Sequence, residues 1–378
     1  MKKTLVALAV LSSVTGAMAD VTISGQINNA LTNDKYVGNA VSGTTDVSGS
    51  VQGMHAITGD SFLTFSGSED LGNGLKANFK LEQALNLSGY NGGTSTGNTP
   101  RATGIFSANS SGNSNREAWI GISSDIGSLN IGNQYSPMFL AAIAADPMGA
   151  NNITGAMGNF GLSAVVHGNS IGYTSPSFNG ITLSAMEYYG TVDTSASTNN
   201  AGNGYGWSLN YANGPLALAY GRDEGTNSGT GTAKTSLADI SQGGLLGTNA
   251  TNNSAVTTAA IVKDGDTITG QSVSASYDLV VAKVGYWGSR IDYTAGDKAQ
   301  GQALAISAPF GNILVAYTAG TGSATPNGGT TTNFTGYQYS AQYNFTKRTN
   351  LYLAGGQTKD TTNSVSRETY GFGLHHSF

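Results

Sequence analysis

Residues 336–345, GYQYSAQYNF, alternate with a period of two. Tyr337, Tyr339, Ala341, Tyr343 and Phe345 fall on one face, and Gln338, Ser340, Gln342 and Asn344 on the other, as in a β-strand. The pattern recurs. QSVSASYDL sets Val273, Ala275, Tyr277 and Leu279 against Ser272, Ser274, Ser276 and Asp278, and GLKANFKLE sets Leu75, Ala77, Phe79 and Leu81 against Lys76, Asn78, Lys80 and Glu82. VTISGQI does the same with Val21, Ile23 and Ile27. A sheet built of such strands needs a home for an apolar face and for a polar one.

Short and long connections alternate between these strands. Short ones lie near Gly72, Ile126, Pro176, Pro215, Asp278, Pro309 and Lys347. Long ones, rich in Gly, Ser, Thr and Asn, occupy roughly 32–58, 89–113, 136–168, 191–203, 224–270, 291–299, 320–335 and 359–366. Eight long and seven short connections imply sixteen strands, and every proline is expected in a connection, where it breaks no ladder. A structureless stretch as long as 224–270 is foreign to a compact soluble domain. It suits one rim of a transmembrane barrel, with short turns on the periplasmic side and long loops outside.

The start of the chain agrees with export. Lys2 and Lys3, the apolar run Leu5–Leu11 and the ending Ala17-Met18-Ala19 read as a signal peptide, 1–19, leaving one barrel domain, 20–378. Without Lys2 and Lys3 the 17 basic residues fall to 15 against 22 acidic ones, a net charge of −7, and no basic cluster offers a surface to nucleic acid. Cysteine is absent, which excludes a disulfide framework. After residue 19 no apolar run approaches the roughly 20 residues of a spanning helix, so membrane residence requires a closed sheet. The apolar face, with Tyr, Phe and Ala among its Leu, Ile and Val, is that of a barrel against lipid rather than of a sandwich core. ETYGFGLHHSF alternates up to Phe378 and reads as the strand that pairs with the first and removes both edges.

Catalysis and metal binding find little support. The only imidazoles are His55 and His167, both placed in loops, and the pair His375–His376 near the end. Asp264 and Asp266 around Gly265 lack the further oxygen ligands of a calcium loop. No short internal repeat marks a β-solenoid adhesin, another class of exported surface protein.

Several segments in order resemble the trimeric general porins of Gram-negative outer membranes, in the form common among beta-proteobacteria: VTISGQI, SFLTFSGSEDLGNGLKANFKLE at 61–82, NREAWIGI at 115–122, GSLNIGNQYSP at 127–137, IGYTSPSFNGITLS at 171–184, NFTKRTNLY at 344–352 and the final GLHHSF. The resemblance implies an all-β, 16-stranded antiparallel barrel, a homotrimer in the outer membrane, and a third loop, about 136–168, folded into the pore. It further implies insertion by the barrel assembly machinery with Phe378 as signal, and passage of small hydrophilic solutes without enzyme activity or cofactor. A substrate-specific channel is the nearest alternative.

Parity places Lys76, Lys80, Glu82, Asp278 and Lys283 on the polar, pore-lining face, whereas Arg116 groups with Ala118, Ile120 and Ile122 and is assigned to the rim. Ser136, Phe139 and Asp146 are the constriction-loop candidates. Phe62 and Asn133 stand where the resemblance leads one to expect arginine, and Ser136 where an acid is common. From Tyr135 to Gly161 the only charge is Asp146. Both signs are thinned together, so the expectation is a weakly selective pore with a slight basic excess on its wall and an apolar constriction.

Overall fold

The computed structural model describes residues 20–37, 49–54, 61–85, 87, 115–144, 166–190, 202–226, 266–294, 296, 298–325, 327–362 and 365–378. Seventeen strand segments and one short helix follow in the order β1 (Asp20–Val37), β2 (Gly49–Met54), β3 (Ser61–Gly72), β4 (Leu75–Leu85), β5 (Asn115–Ser124), β6 (Gly127–Tyr135), α1 (Pro137–Ile143), β7 (Val166–Thr174), β8 (Ile181–Tyr188), β9 (Gly204–Asn213), β10 (Leu216–Thr226), β11 (Thr267–Asp278), β12 (Lys283–Tyr293), β13 (Lys298–Phe310), β14 (Ile313–Thr325), β15 (Thr332–Asn344), β16 (Thr349–Asp360) and β17 (Val365–Ser377). From β3 onward each strand pairs antiparallel with the next, and β17 pairs with β1 from Gln26 to Val37, closing the sheet. β2 and β3 pair with the upper and lower halves of β1, at Leu31–Tyr36 and Asp20–Gln26, and together make one stave. The barrel therefore has sixteen staves, and the only helix among the described residues is too short to cross a membrane.

The alternation of the opening motif decides inside from outside. Gln338 is 1% exposed and Tyr339 38%. The same side of the sheet that buries Gln338 and Ser340 carries α1, so the polar face is the lumen and the apolar face the outer wall. The outer wall is not uniform. Among the described side chains of β1–β6 its large exposed residues are aliphatic or Phe, such as Val21, Ile23, Phe65, Leu81, Ile120 and Ile131, with no outward tyrosine. From β7 to β17 it carries Tyr173, Tyr205, Tyr277, Tyr286, Tyr317, Tyr339, Tyr343 and Tyr370, a girdle suited to the water–lipid boundary.

The short connections lie at the end that holds both Asp20 and Phe378. Between β3 and β4 the two-residue turn Asn73-Gly74 has φ of 53° and 78°, the backbone twist that a tight hairpin needs and that Asn-Gly supplies. At the opposite end three of the expected long loops shrink. The last strands extend through them, leaving only 294–297, 326–331 and 361–364 as connections. Their Thr, Ser, Gly and Asn have the composition of a loop, yet in register they are ladder residues of a wall that continues past the girdle. Proline placement differs at one position: Pro309 pairs with Leu314 at the last-but-one rung of β13, whereas Pro137 stays in the β6–β7 connection as the first residue of α1, where a missing N–H costs nothing.

Candidate functional site

Strand β5 breaks the period-two rule once. Glu82 pairs with Glu117, but Gln83 pairs with Asn115, so Arg116 is an extra residue in a β-bulge. A bulge re-aims a side chain across the sheet. Arg116, expected at the rim on the apolar parity, instead points into the lumen. Its Nε donates to Glu82 Oε1 at 2.7 Å and its Nη2 to the Tyr135 hydroxyl at 2.7 Å. The guanidinium carbon lies 4.9 Å over the ring of Phe62, a cation–π contact at the position where the family resemblance led one to expect arginine. Asn133, the other such position, donates from Nδ2 to the carbonyl of Arg116 at 3.1 Å and so fixes the bulge.

Lys80 bridges the two acids of this cluster. Its Nζ lies 3.1 Å from Glu82 Oε2 and is also bonded to Glu117 Oε2, while Thr64 Oγ1 donates to the same Glu82 Oε2 and Trp119 Nε1 to Glu117 Oε1, each at 3.0 Å. Two cations and two anions are thus locked on neighbouring strands with a formal charge of zero. The other candidates lie elsewhere. Lys76 stands opposite Asp70 beside the β3–β4 turn, and Lys283 opposite Asp278 beside the β11–β12 turn, both at the end with the short turns. Asp70 and Asp278 each accept a backbone N–H two residues on, from Gly72 and Val280 at 2.8 Å, and so shape those turns.

Helix α1 follows β6 directly. Ser136 is its N-cap, with Oγ accepting from Phe139 N at 3.0 Å, and Pro137 presets the first turn. Met138, Ala141 and Ala142 are fully buried against the inner wall. Ser272 Oγ donates to the Met138 carbonyl at 3.0 Å and Ser274 Oγ to the Ala141 carbonyl at 2.5 Å, serving a helix whose carbonyls would otherwise face the sheet. Gly221 makes the close approach possible: a Cβ there would sit 2.6 Å from Met138 Cα. Phe139 packs on Tyr135 with ring centroids 5.2 Å apart, and Leu140, 41% exposed, faces the open lumen. The helix carries no acid in its first turn and no base in its last. Asp146, the remaining loop candidate, lies outside the described residues, as do His55 and Asp264.

The family model for Gram-negative porins matches residues 4–363. The chain belongs to the Gram-negative porin family. It is similar to the major outer membrane protein P.IB of Neisseria meningitidis serogroup B, 24% identical with each chain covered in full. Among solved structures the anion-selective porin from Comamonas acidovorans superposes with a TM-score of 0.67 at 19% identity, over 96% of this chain and all of that one. Salmonella typhi OmpF superposes with a TM-score of 0.60 at 12% identity, over 96% and 100%. The protein is an outer-membrane porin, and its polar face bounds a channel.

Two features of this porin escape a parity reading. His167 is not a loop residue but part of β7, and its Nε2 lies 2.7 Å from Asp223 Oδ2. Its ring stacks on Tyr188 at 3.7 Å, and the Tyr188 hydroxyl donates to Asp223 Oδ1 at 3.2 Å and to the Glu224 carbonyl at 3.0 Å. Asp223 is buried, and Gly206, beside its Oδ1, also abuts Pro137. Nothing in sequence marks three residues so far apart as partners. The bulge did leave a trace: Arg116-Glu117 places two charges in succession where an alternating strand allows one to face the lumen. At the closing strand, Phe378 N donates to Gly25 O at 3.0 Å and Gly25 N to Phe378 O at 3.2 Å, so the terminal residue belongs to the seam.

Proposed function

We propose that this porin passes small hydrophilic solutes and ions by passive diffusion, with weak charge selectivity, as a homotrimer. The observation that carries the reading is the internally neutral quartet Lys80–Glu82–Arg116–Glu117 on the wall, combined with an uncharged helix inside the lumen. Among the described strand residues from Gly285 of β12 to Thr358 of β16 no inward position carries a charge. Lys76 and Lys283, which supplied the expected basic excess, stand at the periplasmic mouth opposite acids. A lone charge about 8 Å from an ion in water contributes only about 0.5 kcal/mol, less in salt. A substrate-specific channel is less well supported, because Trp287, Phe334 and Tyr352 are buried and the other lumenal aromatics, Phe62, Tyr135 and Phe139, cluster at Arg116 and α1 rather than forming a ladder along the pore. The tyrosine-free flank of β1–β6 supports a subunit interface on that side, where packing against another barrel replaces the lipid boundary.

The test is single-channel recording in planar bilayers with crosslinking of the same preparation. Stepwise ohmic conductance, undiminished by sugars, from a heat-dissociable trimer is the expected result. Saturable, ligand-blocked or absent conductance would overturn the diffusion reading, and a monomer on crosslinking would overturn the assembly.

A further inference from the structure

The turns at the periplasmic end differ in charge. The turn after β3 carries Glu69 and Asp70 with Lys76, the turn after β11 carries Asp278 with Lys283, and the β5–β6 turn has Asp125 alone. The turns after β7, β9 and β13 have no charge. The β15–β16 turn, Phe345–Arg348, is the exception. Lys347 and Arg348 stand side by side at its tip, both exposed, and among the described residues neither makes an ion pair. The one carboxylate close in register is the chain terminus at Phe378, next to Ser377, whose N–H donates to the Arg348 carbonyl at 2.8 Å. The tip therefore keeps a net positive charge.

Its backbone is fixed. Thr346 Oγ1 accepts the N–H groups of Arg348 and Thr349 at 3.1 and 3.0 Å, and Phe345 N donates to the Thr349 carbonyl at 3.0 Å. Directly beyond the turn the lipid-facing wall is apolar. Ile313, Tyr343, Leu351 and Leu374 form one row in register across β14–β17, each between 42% and 53% exposed. Phe345 extends this row toward the tip, edge-on to Tyr343 with ring centroids 5.1 Å apart. His376 also faces outward here. Its Nδ1 lies 2.9 Å from Thr349 Oγ1, and its Nε2 has no partner among the described residues. A cationic tip thus stands at the foot of an aromatic and aliphatic column.

We propose that this corner of the barrel binds an anionic phospholipid of the periplasmic leaflet, its phosphate held by Lys347 and Arg348 and its acyl chains laid along Phe345, Tyr343 and Leu351. A guanidinium matches two phosphate oxygens and an ammonium adds a point charge, so the pair suits a phosphodiester. Basic residues at a membrane surface favour anionic over zwitterionic lipid, whose own ammonium offsets its phosphate. The occupant must meet charge and apolar wall together. A soluble anion or an acidic protein would satisfy only the first. His376 Nε2 is placed to meet a hydroxyl of a glycerol headgroup. The binding is independent of what the pore conducts, because the column faces away from the lumen.

Phe345→Trp places a fluorophore in the column, and the parent barrel, treated alike, supplies the background of Trp119, Trp207 and Trp287. The variant is reconstituted in phosphatidylcholine vesicles holding a minor fraction of phosphatidylglycerol, with bromine on the acyl chains of one lipid or of the other. Quenching is expected to show phosphatidylglycerol enriched about fivefold over its bulk proportion, less as salt is raised. Adding Lys347→Gln with Arg348→Gln should bring the two lipids to parity, while Lys347→Arg should preserve the preference. Lys76→Gln with Lys283→Gln, at the same end of the barrel, should leave it unchanged. Normal single-channel conductance certifies that each variant is folded. At constant ionic strength, neither inorganic phosphate nor soluble polyglutamate in excess should abolish the preference. Abolition by phosphate would mark a bare anion site and abolition by polyglutamate an acidic-protein surface, and either would overturn the proposal. So would equal quenching by the two brominated lipids in Phe345→Trp, or an undiminished preference in the paired glutamine variant.

Discussion

Arg116 Nε donates to Glu82 Oε1 over 2.7 Å although strict alternation would put the two side chains on opposite faces of the sheet. The bulge that reverses Arg116 completes a charge-neutral quartet, so removing either sign should unmask the other. Glu82→Gln with Glu117→Gln is expected to drive the zero-current potential across a tenfold potassium chloride gradient in the anion-selective direction. Arg116→Gln with Lys80→Gln should drive it the opposite way. The unaltered pore should show well under half of the roughly 59 mV of an ideally selective one. Unchanged potentials in both doubles would remove the quartet from the ion path.

The seat of α1 is a second target. Ser272→Ala and Ser274→Ala each leave a helix carbonyl without its side-chain donor and should cost about 1 kcal/mol. Gly221→Val introduces a Cβ within 2.6 Å of Met138 Cα and cannot be accommodated with α1 in place. Larger conductance or frequent current fluctuation is expected from Gly221→Val, with a smaller effect from the paired serines. A quiet channel of normal conductance in Gly221→Val would show that α1 does not narrow the pore.

The contact of His167 with Asp223 ties the start of β7 to β10 beside Pro137. His167→Ala strips a buried carboxylate of a partner and should lower stability to denaturant by about 1–3 kcal/mol, while Tyr188→Phe, losing one hydroxyl, should cost about 1 kcal/mol. Chemical unfolding followed by heat-dependent gel mobility measures both. A larger loss from Tyr188→Phe than from His167→Ala would invert the proposed order.

Phe378 closes the seam through two backbone hydrogen bonds to Gly25. Its deletion removes the last rung and the terminal aromatic together. Outer-membrane levels should fall severalfold with periplasmic aggregate accumulating, and Phe378→Tyr, which keeps the ring and the rung, should restore most of the yield. Normal trimer yield from the deletion would sink the assembly role.

The architecture was legible because period two survives almost everywhere: Tyr337 and Gln338 announce outside and inside with no knowledge of their neighbours. Failures of legibility have definite causes. Arg116 was misplaced because one inserted residue inverts parity locally, and only the pairing of Gln83 with Asn115 reveals it. Residues such as Thr321 and Asn333 read as loop because a wall beyond the hydrocarbon no longer needs an apolar face. His167 and Asp223, or Ser272 and Met138, meet only after closure brings distant staves together, and local pattern holds no record of that.

The quartet, Phe62, Tyr135 and α1 all derive from one contiguous stretch, 62–143, whereas the surface that receives α1 comes from β9 to β11. Pore character is therefore exchangeable as a single genetic block. A chimera that imports 62–143 from a relative would acquire its electrostatics wholesale, without alteration of the later staves. One matching condition limits the exchange: the incoming segment must present residues as compact as Ala141 to Gly221, or the recipient barrel rejects its own constriction.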